Sequence, residues 1–85
     1  MADVAEIKQQ VKEMIVERLF LDVAADDIDD DDSLPERFAV DSVNLFEIVV
    51  GLEEAFKISL GDEELSVEAF STVSKIAEIV QRKLG

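Results

Sequence analysis

The stretch DSVNLFEIVVGLEEAF, residues 41–56, decides the fold. Its apolar residues recur at spacings of three and four, which is the pattern of an amphipathic helix. One face of this helix is predicted to enter the core: Leu45, Ile48, Val49, Leu52 and Phe56. A second apolar strip, flanked by Glu47, Glu53 and Glu54, is made of Val43, Phe46 and Val50. A helix that is apolar on more than one face is either deeply buried or binds a partner with the extra face.

Two further segments show the same helical period, one from about Asp3 to Leu21 and one from about Thr72 to Leu84. The second of these has a predicted buried stripe of Val73, Ile76, Ala77, Val80 and Leu84. Ser66 to Phe70 is long enough for a single helical turn with Ser66 as its N-cap. We therefore predict an all-α fold, a small bundle of three main helices plus one short helix, in which residues 1–85 form a single domain.

A long acidic loop, residues 22–40, separates the first helix from the second. It is rich in Asp, and Arg37 is its only basic residue. We expect its apolar residues to fasten it to the core, with Pro35 interrupting regular structure: Val23, Ile28, Leu34 and Phe38. The Asp run of residues 26–32 does not fit an EF-hand, because Asp31 occupies the position that requires Gly. The run is predicted to be a solvated charge cluster with no metal site.

The composition excludes several classes of function. The chain has 21 acidic and 8 basic residues, a net charge of −13, so it lacks the cations that neutralise nucleic-acid phosphates or bind anionic membrane surfaces. No apolar run approaches the roughly 20 residues of a membrane span, and the amino terminus does not resemble a signal peptide. We expect a cytoplasmic monomer with no nucleic-acid partner and no membrane insertion.

The chain also lacks residue types that many catalytic sites require. The chain contains no His and no Cys, which excludes Ser-His and Cys-His nucleophilic systems and thiolate or imidazole metal sites. Glu53 and Glu54 are adjacent and point about 100° apart on a helix, so they cannot form a facing acid–base pair. We therefore assign no catalytic residue and predict an interaction protein, not an enzyme.

The junction at Asp41 and Ser42 is, on local grounds, an ordinary helix N-cap, since both residue types are preferred there. The sequence on both sides of it indicates a further role. The segment AVDSV at residues 39–43, followed by LFEIVVGLEEAF at 45–56, resembles the acyl carrier protein family. The family pattern is Gly-x-Asp-Ser-Leu before a helix that ends in Leu-Glu-Glu-x-Phe. The segments DEE at 62–64 and FSTV at 70–73 are similar to later parts of the family, so the resemblance covers essentially the whole chain.

This resemblance implies a covalent cofactor, 4′-phosphopantetheine, which a phosphopantetheinyl transferase attaches to the Ser42 hydroxyl through a phosphodiester, with Asp41 beside it. Acyl groups would be carried as thioesters on the terminal thiol, in fatty-acid, polyketide or related acyl-transfer biosynthesis. The dipole and the free N–H groups of the helix amino end would favour the phosphate. A cofactor thiol and catalytic partners would also account for a chain without Cys or His.

The resemblance also implies partners, namely the transferase and acyl-transfer, synthase or ligase enzymes with basic docking patches. The residues expected to recognise them are Val43, Phe46, Glu47, Val50, Glu53 and Glu54. Departures from the family pattern at Ala39, Val43, Asn44 and Phe46 suggest a specialised member, and Phe46 is expected to reshape any acyl pocket between the helices. The alternative is an acidic helical adaptor that binds basic partner proteins and is never modified.

Overall fold

The computed structural model describes residues 3–38, 40–61 and 66–84, and of Ser42 it describes the backbone alone. This part of the chain contains four α-helices: α1 (Val4–Arg18), α2 (Leu34–Phe38), α3 (Ser42–Phe56) and α4 (Val73–Leu84). A single 3₁₀ turn lies at Ala25–Asp27. The described ranges contain no strand, and the predicted all-α bundle is confirmed.

Helix α1 is the centre of the bundle, because it packs extensively against both α3 and α4, which contact each other much less. Its buried residues, Ile7, Val11 and Ile15, recur once per turn on one face. They join one core cluster with α3 and α4, whose most deeply buried members include Ile48, Leu52, Val73, Ile76 and Val80. Burying each such side chain contributes about 1.5–3 kcal/mol to the free energy of unfolding.

The short helix lies elsewhere than predicted. Ser66–Phe70 forms one turn, in which the Phe70 N–H donates to the Ser66 carbonyl at 3.2 Å. Ser66 is its N-cap as predicted, because Ser66 Oγ accepts the Ala69 N–H at 3.0 Å. The turn does not continue into a helix. The short helix is α2, inside the predicted loop, and Pro35 lies in its first turn, where a missing N–H costs nothing. The DEE segment at residues 62–64 lies outside the described residues.

The acidic loop is anchored to the start of α4. The Leu34 N–H donates to the Ser71 carbonyl at 2.8 Å, and the Ser74 N–H donates to the Asp30 carbonyl at 3.0 Å. The Ser74 hydroxyl donates to Asp31 Oδ1 at 3.2 Å. The predicted apolar anchors are confirmed, since Ile28 and Leu34 are buried and Val23 and Phe38 pack against the core. The loop is therefore an integral part of the fold.

The Asp run is partly paired rather than simply solvated. Asp30 accepts from Lys12 Nζ at 2.8 Å and from Lys8 Nζ at 3.2 Å. The Lys12 hydrogen bond is the largest cause that holds the pKa of the Asp30 carboxyl below its ordinary value of 3.8. The Asp29 N–H, and then the ion pair with Arg37, lower the pKa of Asp32 in the same way. Within the described ranges, no group of three or more acidic side chains is arranged to hold a metal ion.

The Asp30 contacts predict a specific loss of stability in acid. Because the pKa of Asp30 is lowered in the folded state, its contribution is fully present above the unfolded value and is lost as the pH falls through the folded value. We expect the free energy of unfolding of Asp30→Asn to vary less than that of the wild type as the pH falls below about 3.8. Urea titrations at a series of pH values measure this difference.

Asp26→Asn is the matched control, since Asp26 is exposed and removing its charge changes the net charge equally. Its free energy of unfolding should vary with pH as that of the wild type does. If Asp26→Asn and Asp30→Asn had the same pH profile, the Lys8 and Lys12 contacts would contribute nothing in solution.

Helix α4 departs from its predicted stripe at one end. Val73, Ile76, Ala77 and Val80 are buried as predicted, and Ile79 is buried as well. Leu84, predicted to be buried, is instead 44% exposed. It lies in the last turn of α4. Of the described helices, none is long and apolar enough to cross a membrane.

Candidate functional site at the start of α3

Asp41 is the N-cap of α3. Its backbone is extended, and Asp41 Oδ1 accepts the N–H groups of Val43 and Asn44, each at 3.0 Å. Ser42 is therefore the first helical residue and not the cap. The Ser42 side chain and Ala39 lie outside what the structure describes.

The cap changes the electrostatics expected at this helix end. The N–H groups of Val43 and Asn44 already donate to Asp41, so the expectation that they would be free to receive a phosphate is wrong. The helix dipole still favours an anion near Ser42. The exposed carboxylate of Asp41 adds negative charge at the same point. A phosphodiester here would make the junction more acidic and more attractive to a basic protein surface.

The second apolar strip of α3 faces outward. Val43 is 71% exposed and Phe46 is 63% exposed, while Val50 is half-buried. Because the Phe46 ring is mostly in contact with solvent, the expectation that it reshapes an interior acyl pocket is wrong. The strip is an open apolar surface that begins next to Ser42 and extends over about two turns of α3.

Glu47 and Glu54 share one cation. Arg18 of α1 places Nη2 3.0 Å from Glu54 Oε1 and Nη1 3.7 Å from Glu47 Oε2. Both carboxylates remain about half or more exposed, so they can still attract a basic partner. Glu53 differs, because its carboxylate accepts the Leu60 N–H at 2.9 Å and so stabilises the chain that follows α3.

Gly51 permits the close contact between α1 and α3. A Cβ at this position would lie 2.6 Å from Met14 Sδ and 3.3 Å from Arg18 Nε. Gly51 therefore allows the two helices to pack closely here. Without a side chain at Gly51, Arg18 can extend across α3 to reach both Glu47 and Glu54.

Sequence reasoning missed two residues near this site. It gave no role to Arg18 or to Phe20. The signal for Phe20 was the apolar run of residues 19–21 at a helix end. Three successive residues cannot all lie on one face of a helix.

Comparison with known proteins shows the family of this chain. Residues 9–80 match the family described as "Phosphopantetheine attachment site". Over 77 residues the chain is 34% identical to the acyl carrier protein of Buchnera aphidicola subsp. Acyrthosiphon pisum (strain Tuc7). This match covers 91% of each of the two chains. The chain belongs to the acyl carrier protein family. It is also 34% identical over 71 residues to the acyl carrier protein of Sulfurovum sp. (strain NBC37-1), covering 84% of this chain and 89% of that protein.

The prosthetic group of an acyl carrier protein is 4′-phosphopantetheine, and the described residues fit it. Asp41 and Val43, on either side of Ser42, are both exposed. A covalent arm at this junction could extend into solvent without displacing any core side chain.

Proposed function

We propose that this protein is a carrier that holds 4′-phosphopantetheine on Ser42 and bears acyl intermediates as thioesters, in fatty-acid, polyketide or related acyl-transfer biosynthesis. The observation that supports this most is the position of Ser42 as the first residue of α3, at an exposed junction, in a chain of the acyl carrier protein family. The chain has no Cys, so the thiol would be that of the cofactor. The protein itself catalyses no reaction.

The residues of the junction have separate tasks in this proposal. Ser42 supplies the hydroxyl that is modified. Asp41 fixes the first turn of α3 through two hydrogen bonds and adds negative charge beside the attachment point. The positive end of the helix dipole partly offsets the charge of the phosphodiester.

The docking face, as we define it, consists of Val43, Phe46, Glu47, Val50 and Glu54. Its exposed apolar residues would contact a partner enzyme, and its carboxylates would steer and orient a basic patch. The Glu53 carboxylate accepts the Leu60 N–H, so Glu53 would contribute to docking only through its negative charge. The partners are the phosphopantetheinyl transferase and acyl-transfer, synthase or ligase enzymes, encountered in the cytoplasm by a monomeric carrier with no nucleic-acid partner.

Co-expression with a phosphopantetheinyl transferase tests this function. Intact mass spectrometry should show the addition of one phosphopantetheine, and fragmentation should locate it on the peptide that contains Ser42. A chain that never gains this mass, while still binding basic proteins, would instead be the unmodified acidic adaptor.

Reversing the charges of Glu47 and Glu54 should slow loading by the transferase. Long-range attraction to a basic partner raises association rates by about 10–1,000-fold. We therefore expect Glu47→Lys with Glu54→Lys to reduce the loading rate at low salt by at least about tenfold. The loading rate should also depend less on salt concentration.

The matched control is Glu68→Lys with Glu78→Lys, which changes the net charge equally at exposed positions outside the docking face. Circular dichroism should show that both double variants remain helical. Equal loading rates in the two double variants would place the docking surface elsewhere.

A further inference from the structure

Helix α1 ends in a hydrogen-bonded cap around Phe20. The Leu19 N–H donates to the Ile15 carbonyl, and the Leu21 N–H donates to the Val16 carbonyl, each at 3.0 Å. Phe20, between them, has a φ of 52°. The Leu21 to Val16 bond and the left-handed residue before it are features of the Schellman motif, in which that residue is usually Gly.

Phe20 carries two energetic costs. A bulky side chain is rarely found at positive φ, since its Cβ crowds the backbone there. The side chain is also 91% exposed, the highest exposure among the large hydrophobic side chains that the structure describes. Its neighbours Leu19 and Leu21 pack against the core instead. The fold gains little from an aromatic ring at Phe20. A role for this ring therefore involves contact with another molecule.

The position of Phe20 places it near the docking face. Arg18, two residues earlier, reaches Glu47 with Nη1 at 3.7 Å. Arg18 also places Nη2 3.0 Å from Glu54 and lies against Gly51, so the end of α1 lies beside the middle of α3. Glu47 is about 7.5 Å along the helix axis from Ser42. A typical interface covers about 800 Å² per partner, or about 30 Å across. One partner could contact Phe20 and the docking face together.

The charges around Phe20 indicate what kind of partner fits. Glu17 and Asp22, which are close to it in the chain, are both exposed, and Glu47 is exposed on the neighbouring helix. An aromatic ring within an acidic surface complements an apolar pocket rimmed by Lys and Arg. A second copy of this chain, with a charge of −13, would be repelled.

We propose that Phe20 is an aromatic anchor that inserts into an apolar, basic-rimmed pocket of the phosphopantetheinyl transferase, which extends the docking face from α3 onto the end of α1. This rests on the proposed function, because it assumes that the transferase acts on Ser42.

Phe20→Gly tests the anchor, since it removes the ring and supplies the residue that the cap prefers. Loading rates at varied carrier concentration, with the transferase and its phosphopantetheine donor, give KM and kcat. We expect KM to rise about tenfold with kcat changed less than twofold, because the ring contributes to docking and not to the reaction. We expect the Tm to rise by about 4–8 °C as the backbone strain is relieved.

Two further variants control for general effects. Phe20→Leu keeps an apolar group and should keep KM within about threefold of the wild-type value. Leu84→Ser removes an exposed apolar side chain at the end of α4 and should leave KM unchanged.

Three results would overturn the anchor. An unchanged KM in Phe20→Gly, with the Tm raised, would show that the transferase does not use the ring. A wild-type dimer that Phe20→Gly abolishes, seen by sedimentation, would make a second copy the occupant. A wild type that gains no mass would overturn the proposed function as well, which distinguishes that failure from the other two.

Discussion

Ser42→Ala is expected to abolish phosphopantetheine loading completely, because it removes the hydroxyl that forms the phosphodiester. The fold should be almost unaffected. Asp41 caps α3 and Ser42 is its first helical residue, and Ala is a favourable helix former. We expect the free energy of unfolding to change by less than about 0.5 kcal/mol. Intact mass after co-expression with the transferase, together with a urea titration, measures both effects.

Asp41→Ala should lower the stability of the fold but still allow loading. It removes the side chain that accepts from Val43 and Asn44, so the free energy of unfolding should fall by about 0.5–2 kcal/mol. Loading should be slower than in the wild type but should still reach completion, since the acceptor hydroxyl remains.

Ser59→Ala is the control for Ser42→Ala, because Ser59 is exposed and lies outside the docking face. It should load fully. A Ser42→Ala protein that still gained phosphopantetheine would contradict the assignment of Ser42.

Leu34→Ala is expected to cause a large loss of stability, although Leu34 lies in the region that sequence reasoning treated as a loop. Its side chain is completely buried in the core cluster. Truncating such a residue costs about 2–5 kcal/mol, out of about 4–13 kcal/mol expected for a domain of this length. A urea titration followed by circular dichroism measures the loss.

Leu84→Ala deletes the same atoms from a side chain that is 44% exposed. Its cost should be within about 0.5 kcal/mol. Equal costs for the two substitutions would mean that α2 and the acidic loop are not part of the cooperative core.

The main helices could be predicted from the sequence alone, because their periodic apolar residues encode which face is buried. α3 begins and ends as expected, and α4 begins at Val73 after Thr72, whose Oγ1 accepts the Lys75 N–H at 3.1 Å. The predicted cap at Ser66 depends in the same way on residues close in the chain. The period of α3 left Val43 and Phe46, which we propose for docking, outside the core face, and both are exposed.

The features that were missed or wrong depend on contacts between residues far apart in the chain. α2 is a single short turn whose start is held by Ser71, and five residues are too few to show a helical period. Leu84 continues an apolar stripe, but its burial depends on whether another element packs over the last turn of α4, and it is 44% exposed. Asp30 belongs to an acidic run, and only the packing of the loop against α1 brings Lys8 and Lys12 to it.

The candidate site divides in the same way. The sequence by itself determined the Asp-Ser junction, the second apolar strip and the acidic character of α3, because local order and helical period encode all three. Only the tertiary structure decided that Val43 and Phe46 of this strip face solvent. It likewise decided that Arg18 pairs with Glu47 and Glu54, and that Glu53 serves the chain after α3. It also decided that the end of α1 lies beside α3, because the close approach of α1 to α3 at Gly51 sets which side chains of the two helices become neighbours.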